Sequence, residues 1–145
     1  MPPPLATIGY EGATVVGVIG RLKGAGVRLL LDVRAVAASR RPGFSKSALC
    51  NALAEAGIDY RHLRALGTPK SGREAARAGR TLEMHRIFED HLAEPAALVE
   101  LAEAERLVRA QPAALLCFEA DAARCHRRIL AGRLREAIGC PVVDL

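Results

Sequence analysis

The run VRLLLDV at residues 27–33 sets the tightest limit on what this chain can fold into. It has the length of a strand, carries Leu29, Leu30 and Leu31 in succession, and shows no alternation of apolar and polar residues. Alternation marks a strand with one wet face. Its absence suits a strand covered on both faces, as in a parallel sheet held between two helical layers.

The rest of the chain supplies those layers. After three prolines that keep residues 1–4 extended, LATIG (5–9) reads as a first strand. ATVVGVIGRLKGAG (13–26) is a helix with Val15, Val18, Ile19 and Leu22 on one face, ended by Gly24 and Gly26. Ser45 is placed to cap a helix running through residue 56, and Gly57 ends it. IDYRHL (58–63) is a third strand, and the polar segment GTPKSGREAARAGRT (67–81) reads as a mobile loop with a short helix. Helices over 81–92 and 95–110 split near Pro95, AALLCFE (113–119) is a fourth strand, AARCHRRILAGRLREAI (122–138) a helix, and PVVDL (141–145) a last strand.

Strands that alternate with helices pair in parallel through right-handed crossovers. The expected fold is therefore α/β: a single three-layer domain with a mostly parallel central sheet of about five strands flanked by helices. The length of 145 residues fits one such domain over 1–145. Half the residues are apolar and 26% are charged, a globular balance.

Composition also limits partners. A net charge of +5 suits an anionic ligand such as phosphate, nucleotide or nucleic acid, and equally an ordinary basic surface. The four cysteines Cys50, Cys117, Cys125 and Cys140 form no CxxC pair, which points to free thiols in a reducing cytoplasm. The opening MPPPLATIGY lacks the basic and apolar regions of a secretory signal, and no run has the length of a membrane span. A soluble cytoplasmic protein is expected, with no membrane partner.

In open α/β sheets ligands bind beyond the carboxyl ends of the strands, where loops and helix starts converge. Those positions are rich in chemistry here. Tyr10 and Glu11 follow the first strand; Asp32, Arg34, Ser39 and Arg40 follow the second; His62 ends the third. Glu119 ends the fourth, ahead of Cys125, His126 and Arg127. On a helix advancing about 100° per residue, Leu130, Leu134, Ala137 and Ile138 mark the core side, and His126 and Arg127 project from that side at the first turn. Cys125 falls nearly opposite, and reaches the rim only if the helix begins later or its first turn is irregular.

Structural roles compete with functional ones. Arg127 is placed to pair with Glu119 or Asp32, Asp121 suits an N-cap, and Cys117 within its apolar run suits an inert core thiol. Asp32 needs neutralising, by Arg34, Arg40, Arg127 or a ligand. Spacing decides among the known chemical templates. The arginine of a cysteine-based phosphatase loop would fall on Ala131 counting from Cys125, or on Ala123 from Cys117, so that template fails. IGYEGAT lacks the glycine spacing of a nucleotide-binding loop. A structural zinc site needs four compact ligands, and Cys117, Cys125 and His126 with a remote His62 match it poorly, so no metal is assigned. General acid–base work by His126 with Glu119 or Asp32 fits the residue types. The loops RAVAASRRPGFSK and GTPKSGREAARAGR favour an anion through arginine's bidentate donors, while the shortage of aromatics argues against a base-stacking platform.

The elements TIGYEG, DVRAVAASRRPGF, GIDYRHLRALG and LLCFEADAARCHRRILA, in that order, resemble the bacterial and archaeal domain-of-unknown-function family DUF488. The matching positions are Thr7 to Tyr10, Asp32 to Arg34, Ser39 and Arg40, Glu119, and Cys125 to Arg127. The resemblance implies a compact α/β fold and a functional rim at the strand ends, and brings no reaction, substrate or cofactor. Tyr10 stands where many relatives have His. The resemblance also singles out Cys125 despite its helical angle.

The leading expectation is a domain that binds an anionic, phosphate-bearing ligand at the carboxyl edge of the sheet. Arg34, Arg40, Arg127 and Ser39 would hold the anion. His126, Glu119, Asp32 and Cys125 would carry acid–base or thiol chemistry, with Tyr10, Glu11 and His62 on the same rim. The alternatives are a non-catalytic nucleic-acid or nucleotide-binding module and a partner-binding domain whose rim is a salt-bridge network.

Overall fold

The computed structural model describes residues 2–145. Strands β1 (Leu5–Gly9), β2 (Leu29–Asp32), β3 (Asp59–His62), β4 (Ala113–Cys117) and β5 (Val142–Asp144) form one sheet in the order β3-β2-β4-β1-β5. Every pairing is parallel, with Leu5 opposite Ala113 and Val142, and Leu29 opposite Asp59 and Ala113. The helices are α1 (Val15–Gly24), α2 (Lys46–Glu55), α3 (Lys70–Arg77), α4 (Thr81–Leu92), α5 (Pro95–Ala110) and α6 (Arg127–Ile138). None of them is long and apolar enough to cross a membrane.

The pleat sends alternate residues into two cores. Ala6, Ile8, Leu30, Ala114 and Leu116 meet Val18 and Leu22 of α1 and Leu49 and Leu53 of α2. Leu5, Leu29, Leu31, Ala113 and Leu115 meet α4, α5 and α6 through Phe88, Leu92, Ala104, Val108, Leu130 and Leu134. The unbroken run in β2 is thus explained: Leu30 serves one core and Leu29 and Leu31 the other. Each buried leucine contributes about 1.5–3 kcal/mol relative to an exposed one.

Local signals fix the element ends. Thr14 caps α1 by accepting a hydrogen bond from the Gly17 amide, and α6 stops at Gly139, whose φ of 72° is left-handed. The short helix expected within residues 67–81 is Lys70–Arg77, where Gly72 and Ala75 are small enough to bury against neighbours despite a polar sequence. Two features depart from the sequence reading. The fourth strand ends at Cys117, not Glu119. The last helix begins at Arg127: Ala122–Arg124 form one 3-10 turn, capped by Asp121, and Cys125 is extended.

The connections locate a crevice. The chain leaves β1 over the α1 face, passing β4 to reach β2, and leaves β4 over the α6 face, passing β1 to reach β5. The neighbours β1 and β4 therefore send their loops to opposite sides. Such a reversal opens a gap at the carboxyl edge of a parallel sheet.

Candidate functional site

A cleft of about 580 Å³ lies at that edge. Tyr10 and Glu11 reach it from β1, Arg34 from β2, Arg73 and Arg77 from α3, and Cys117 and Glu119 from β4. Asp121, Arg124, Cys125 and His126 reach it from the segment before α6. The volume suits a small molecule.

Asp32, fully buried at the end of β2, sits behind the cleft wall rather than in it. Its carboxylate accepts from Arg34 Nε at 2.8 Å, Arg34 Nη2 at 2.7 Å, the Arg34 amide at 3.1 Å and the Tyr60 hydroxyl at 2.5 Å. Arg34 Nη1 donates to the Phe44 carbonyl at 2.7 Å and the Tyr10 hydroxyl at 3.3 Å. Burial alone would lower the Arg34 pKa, but the Asp32 carboxylate prevails and raises it. Burial, followed by Asp32, pushes the Tyr60 phenol up. Arg34 is therefore the group that neutralises Asp32. Tyr10 stacks on Phe44 with ring centroids 4.4 Å apart and meets the edge of Phe118 at 5.3 Å, which stiffens this wall.

Arg127 has no exposed surface and is turned inward. Its Nη1 donates to the Glu119 carbonyl and, at 3.1 Å, to Cys117 Sγ, while Nη2 donates to the Ala120 carbonyl at 3.1 Å. Nε has no partner, and Arg127 makes no salt bridge among the described residues. Burial lowers its pKa, opposed by the charges of Asp144, Glu119 and Asp121. The guanidinium folds the loop after β4 back across Gly9, where any side chain would collide with the Glu119 carbonyl. That close approach is why the TIG element ends in glycine.

Cys117, Cys125 and His126 meet beneath this loop. His126 Nε2 lies 2.8 Å from the Val33 carbonyl. A carbonyl only accepts, so Nε2 carries the proton and Nδ1 keeps its lone pair. Nδ1 faces Cys125 Sγ at 3.6 Å, and the ring packs edge-on to Phe88 at 4.9 Å. Burial pushes the His126 pKa down to about 4, against the Val33 hydrogen bond and with help from Arg127. The Cys117 and Cys125 sulfurs lie at bonding distance as a disulfide, across Cα atoms 7.3 Å apart. Cys50 and Cys140 are free. The expectation of four free thiols did not anticipate this pair, because a strand ending at Cys117 turns its side chain from core to rim.

Glu119 is half-buried, with Oε2 3.7 Å from Cys117 Sγ. Burial raises its pKa, and the nearby Arg127 and Arg124 only partly offset that. Glu11 is exposed and accepts from the Ala120 amide at 3.0 Å. From α3, Arg73 donates to the Thr68 carbonyl at 2.8 Å. Among the described residues none of Arg73, Arg77 and Arg124 forms an ion pair.

Of the residues expected at the rim, Tyr10, Glu11, Arg34, Glu119, Cys125 and His126 share the cleft. Asp32 and Arg127 stand behind it, occupied as described. His62 Nε2 holds the Arg34 carbonyl at 2.7 Å, and Ser39 braces its own loop by hydrogen bonds with Ser45 and Arg41. Arg40 is exposed and does not line the cleft. Cys117 and Arg124 line the cleft in addition to the residues expected from the sequence. The signal for Arg124 was its place just before the CHR triplet, and for Cys117 its place two residues before Glu119.

A family model described as Domain of unknown function DUF488 matches residues 14–134. No curated protein and no solved structure matches the chain.

Proposed function

The chain belongs to the DUF488 family, and from that premise we propose that its cleft binds a small anionic, phosphate-bearing ligand and performs acid–base chemistry on it. The observation that carries this reading is the set of three guanidinium groups, Arg73, Arg77 and Arg124, that line one cleft and form no ion pair among the described residues. Arginine offers planar, bidentate donors that match phosphate and carboxylate oxygens. Arg34, tied to Asp32, then acts as wall and not as clamp. Arg40 stands outside.

Glu119 is the group best placed to move a proton, since its carboxyl lines the cleft beside Glu11, Arg124 and the sulfur pair. A proton carrier must lie within hydrogen-bond reach of the atom it serves. A ligand held by Arg73, Arg77 and Arg124 would share the cleft with Glu119. His126, its Nε2–H committed to Val33, supports this floor through Nδ1.

The test is a thermal-shift panel of inorganic phosphate, mononucleotides, sugar phosphates, dicarboxylates and short duplex DNA. Phosphate-bearing small molecules are expected to raise the melting temperature, and Arg77→Ala with Arg124→Ala to abolish the rise. No shift from any small anion in the wild type would end this reading. A shift from DNA alone, weakening steeply with salt, would favour the nucleic-acid alternative instead.

A further inference from the structure

We propose that Cys117, Cys125 and His126 form a three-ligand site for a thiophilic divalent cation, zinc by its ligand chemistry, with the fourth position open to the cleft. Five observations converge on it. The ligand atoms of the three residues all lie within 4.8 Å of one another. With Zn–S near 2.3 Å and Zn–N near 2.0–2.1 Å, two ligands of a tetrahedral ion stand roughly 3.6 Å apart. Cys125 Sγ and His126 Nδ1 are 3.6 Å apart. The imidazole is already set for ligation: the Val33 carbonyl holds its Nε2–H at 2.8 Å, which orients the ring and frees Nδ1. Ligating histidines ordinarily have their other N–H held in this way.

Arg127 gives the fourth observation. A buried cation without a counter-charge is costly, and this one has no carboxylate partner among the described residues. It directs Nη1–H at Cys117 Sγ from 3.1 Å. A thiolate at Cys117 supplies the missing negative charge, and thiolate is the form that binds a metal. The fifth is the spacing of the backbone. Disulfides usually bridge Cα atoms about 4.4–6.8 Å apart, whereas these are 7.3 Å apart. Two sulfurs on one tetrahedral ion stand roughly 3.8 Å apart, which a wider Cα spacing accommodates. The cation replaces the sulfur–sulfur link, so the site exists only in the reduced protein.

The sequence argued against zinc because a fourth ligand was remote, as a structural site would require. A site with three protein ligands and an open position is the arrangement of catalytic zinc, where the last position holds water. All three residues line the cleft, so that position faces Glu119 and the guanidinium groups. The inference goes beyond the anion reading and does not depend on it.

The experiment uses full-length protein, reduced, stripped with a chelator and handled without oxygen. Titration with Co²⁺ is expected to give one equivalent bound, with the intense near-ultraviolet band of thiolate-to-cobalt charge transfer, displaced by Zn²⁺. Cys117→Ser and Cys125→Ser should each reduce the band. His126→Ala should weaken affinity by more than the roughly tenfold that loss of a supporting partner costs. Arg77→Ala with Arg124→Ala should leave metal binding intact while removing the response to phosphate, which separates the two readings. Should the serine variants misfold, alkylation of the wild type decides: Zn²⁺ must protect Cys117 and Cys125 but not Cys50. Absence of the charge-transfer band in protein with titratable thiols, unprotected cysteines, or a Cys117–Cys125 disulfide that persists under reductant would each overturn the proposal.

Discussion

Replacing Gly9 by alanine tests whether the loop after β4 is held against β1 as described. The new methyl group would fall well inside 3.0 Å of the Glu119 carbonyl and 2.9 Å from Arg127 Nη1. The first obstacle is backbone and cannot rotate away, so the loop must retreat by about 1 Å or more, and overpacking of this kind costs about 1–3 kcal/mol. The retreat also strains the bonds from the Glu11 amide to the Phe118 carbonyl, from the Tyr10 amide to the Cys117 carbonyl, and from Arg127 to Glu119. At about 1 kcal/mol for each hydrogen bond lost, the whole change comes to about 4–6 kcal/mol. With a urea slope of about 2 kcal/mol per molar, the unfolding midpoint should fall by roughly 2–3 M. Gly20→Ala is the control. Gly20 lies exposed in α1 with nothing within 4 Å of a methyl group, so the same substitution should stabilise by about 0.5–1 kcal/mol. Equilibrium urea denaturation followed by circular dichroism reads both. A Gly9→Ala midpoint within experimental error of wild type would refute the close approach, and with it the placement of Arg127.

Three further outcomes follow from the buried polar groups. Asp32→Ala should destabilise by about 3–5 kcal/mol, because it leaves the Arg34 guanidinium buried without its carboxylate. Asp32→Ala with Arg34→Met should recover part of that loss; equal destabilisation by the double variant would mean the pair is not the cause. Tyr60→Phe removes one charge-assisted bond to Asp32 and should cost about 1.5–3 kcal/mol by the same assay. Metal-free protein should lose stability in mild acid through His126, which faces Arg127 and His91, both opposing its charging, and Asp32, which favours it. Its folded pKa of about 4 lies below the unfolded value of 6.5, so only the unfolded state takes up the proton between them. Stability then falls as pH drops through that window, by at most about 3 kcal/mol. An His126→Gln variant should show a flatter acid limb in urea titrations at a series of pH values; an unchanged limb would assign the loss to other groups.

The elements were legible because the period of the apolar residues changes cleanly between strand and helix. LATIG gave β1 with both boundaries, and Thr81–Leu92 and Pro95–Ala110 lie where Pro95 divides them. The carboxyl-edge location of the cleft followed from parallel pairing alone. What periodicity cannot carry is the direction of a side chain where regular structure stops. An ideal helix from residue 122 turns Cys125 away from the rim, whereas the interrupted start at Arg127 leaves Cys125 extended and turned inward. Cys117 looked like core because its neighbours are core, yet it is the last residue of β4 and faces Arg127. The partners of Arg34 and Arg127 were also beyond reach. Each had several acids and carbonyls within sequence range, and only three-dimensional packing selects among them.

The strand order has a consequence for how the chain is made. β1 emerges first from the ribosome but pairs only with β4 and β5, both from the far half of the sequence. Until β4 appears, the nascent chain can assemble β2, β3, α1 and α2, while β1 has no strand to pair with. Insertion of β4 between β1 and β2 is then the event that joins the sheet into one and brings Cys117 beside Gly9. Pairings of such long range are slow to form and expose apolar strands meanwhile. A chain ending before residue 113 therefore lacks Cys117, Glu119, Arg124, Cys125 and His126, and with them one side of the cleft.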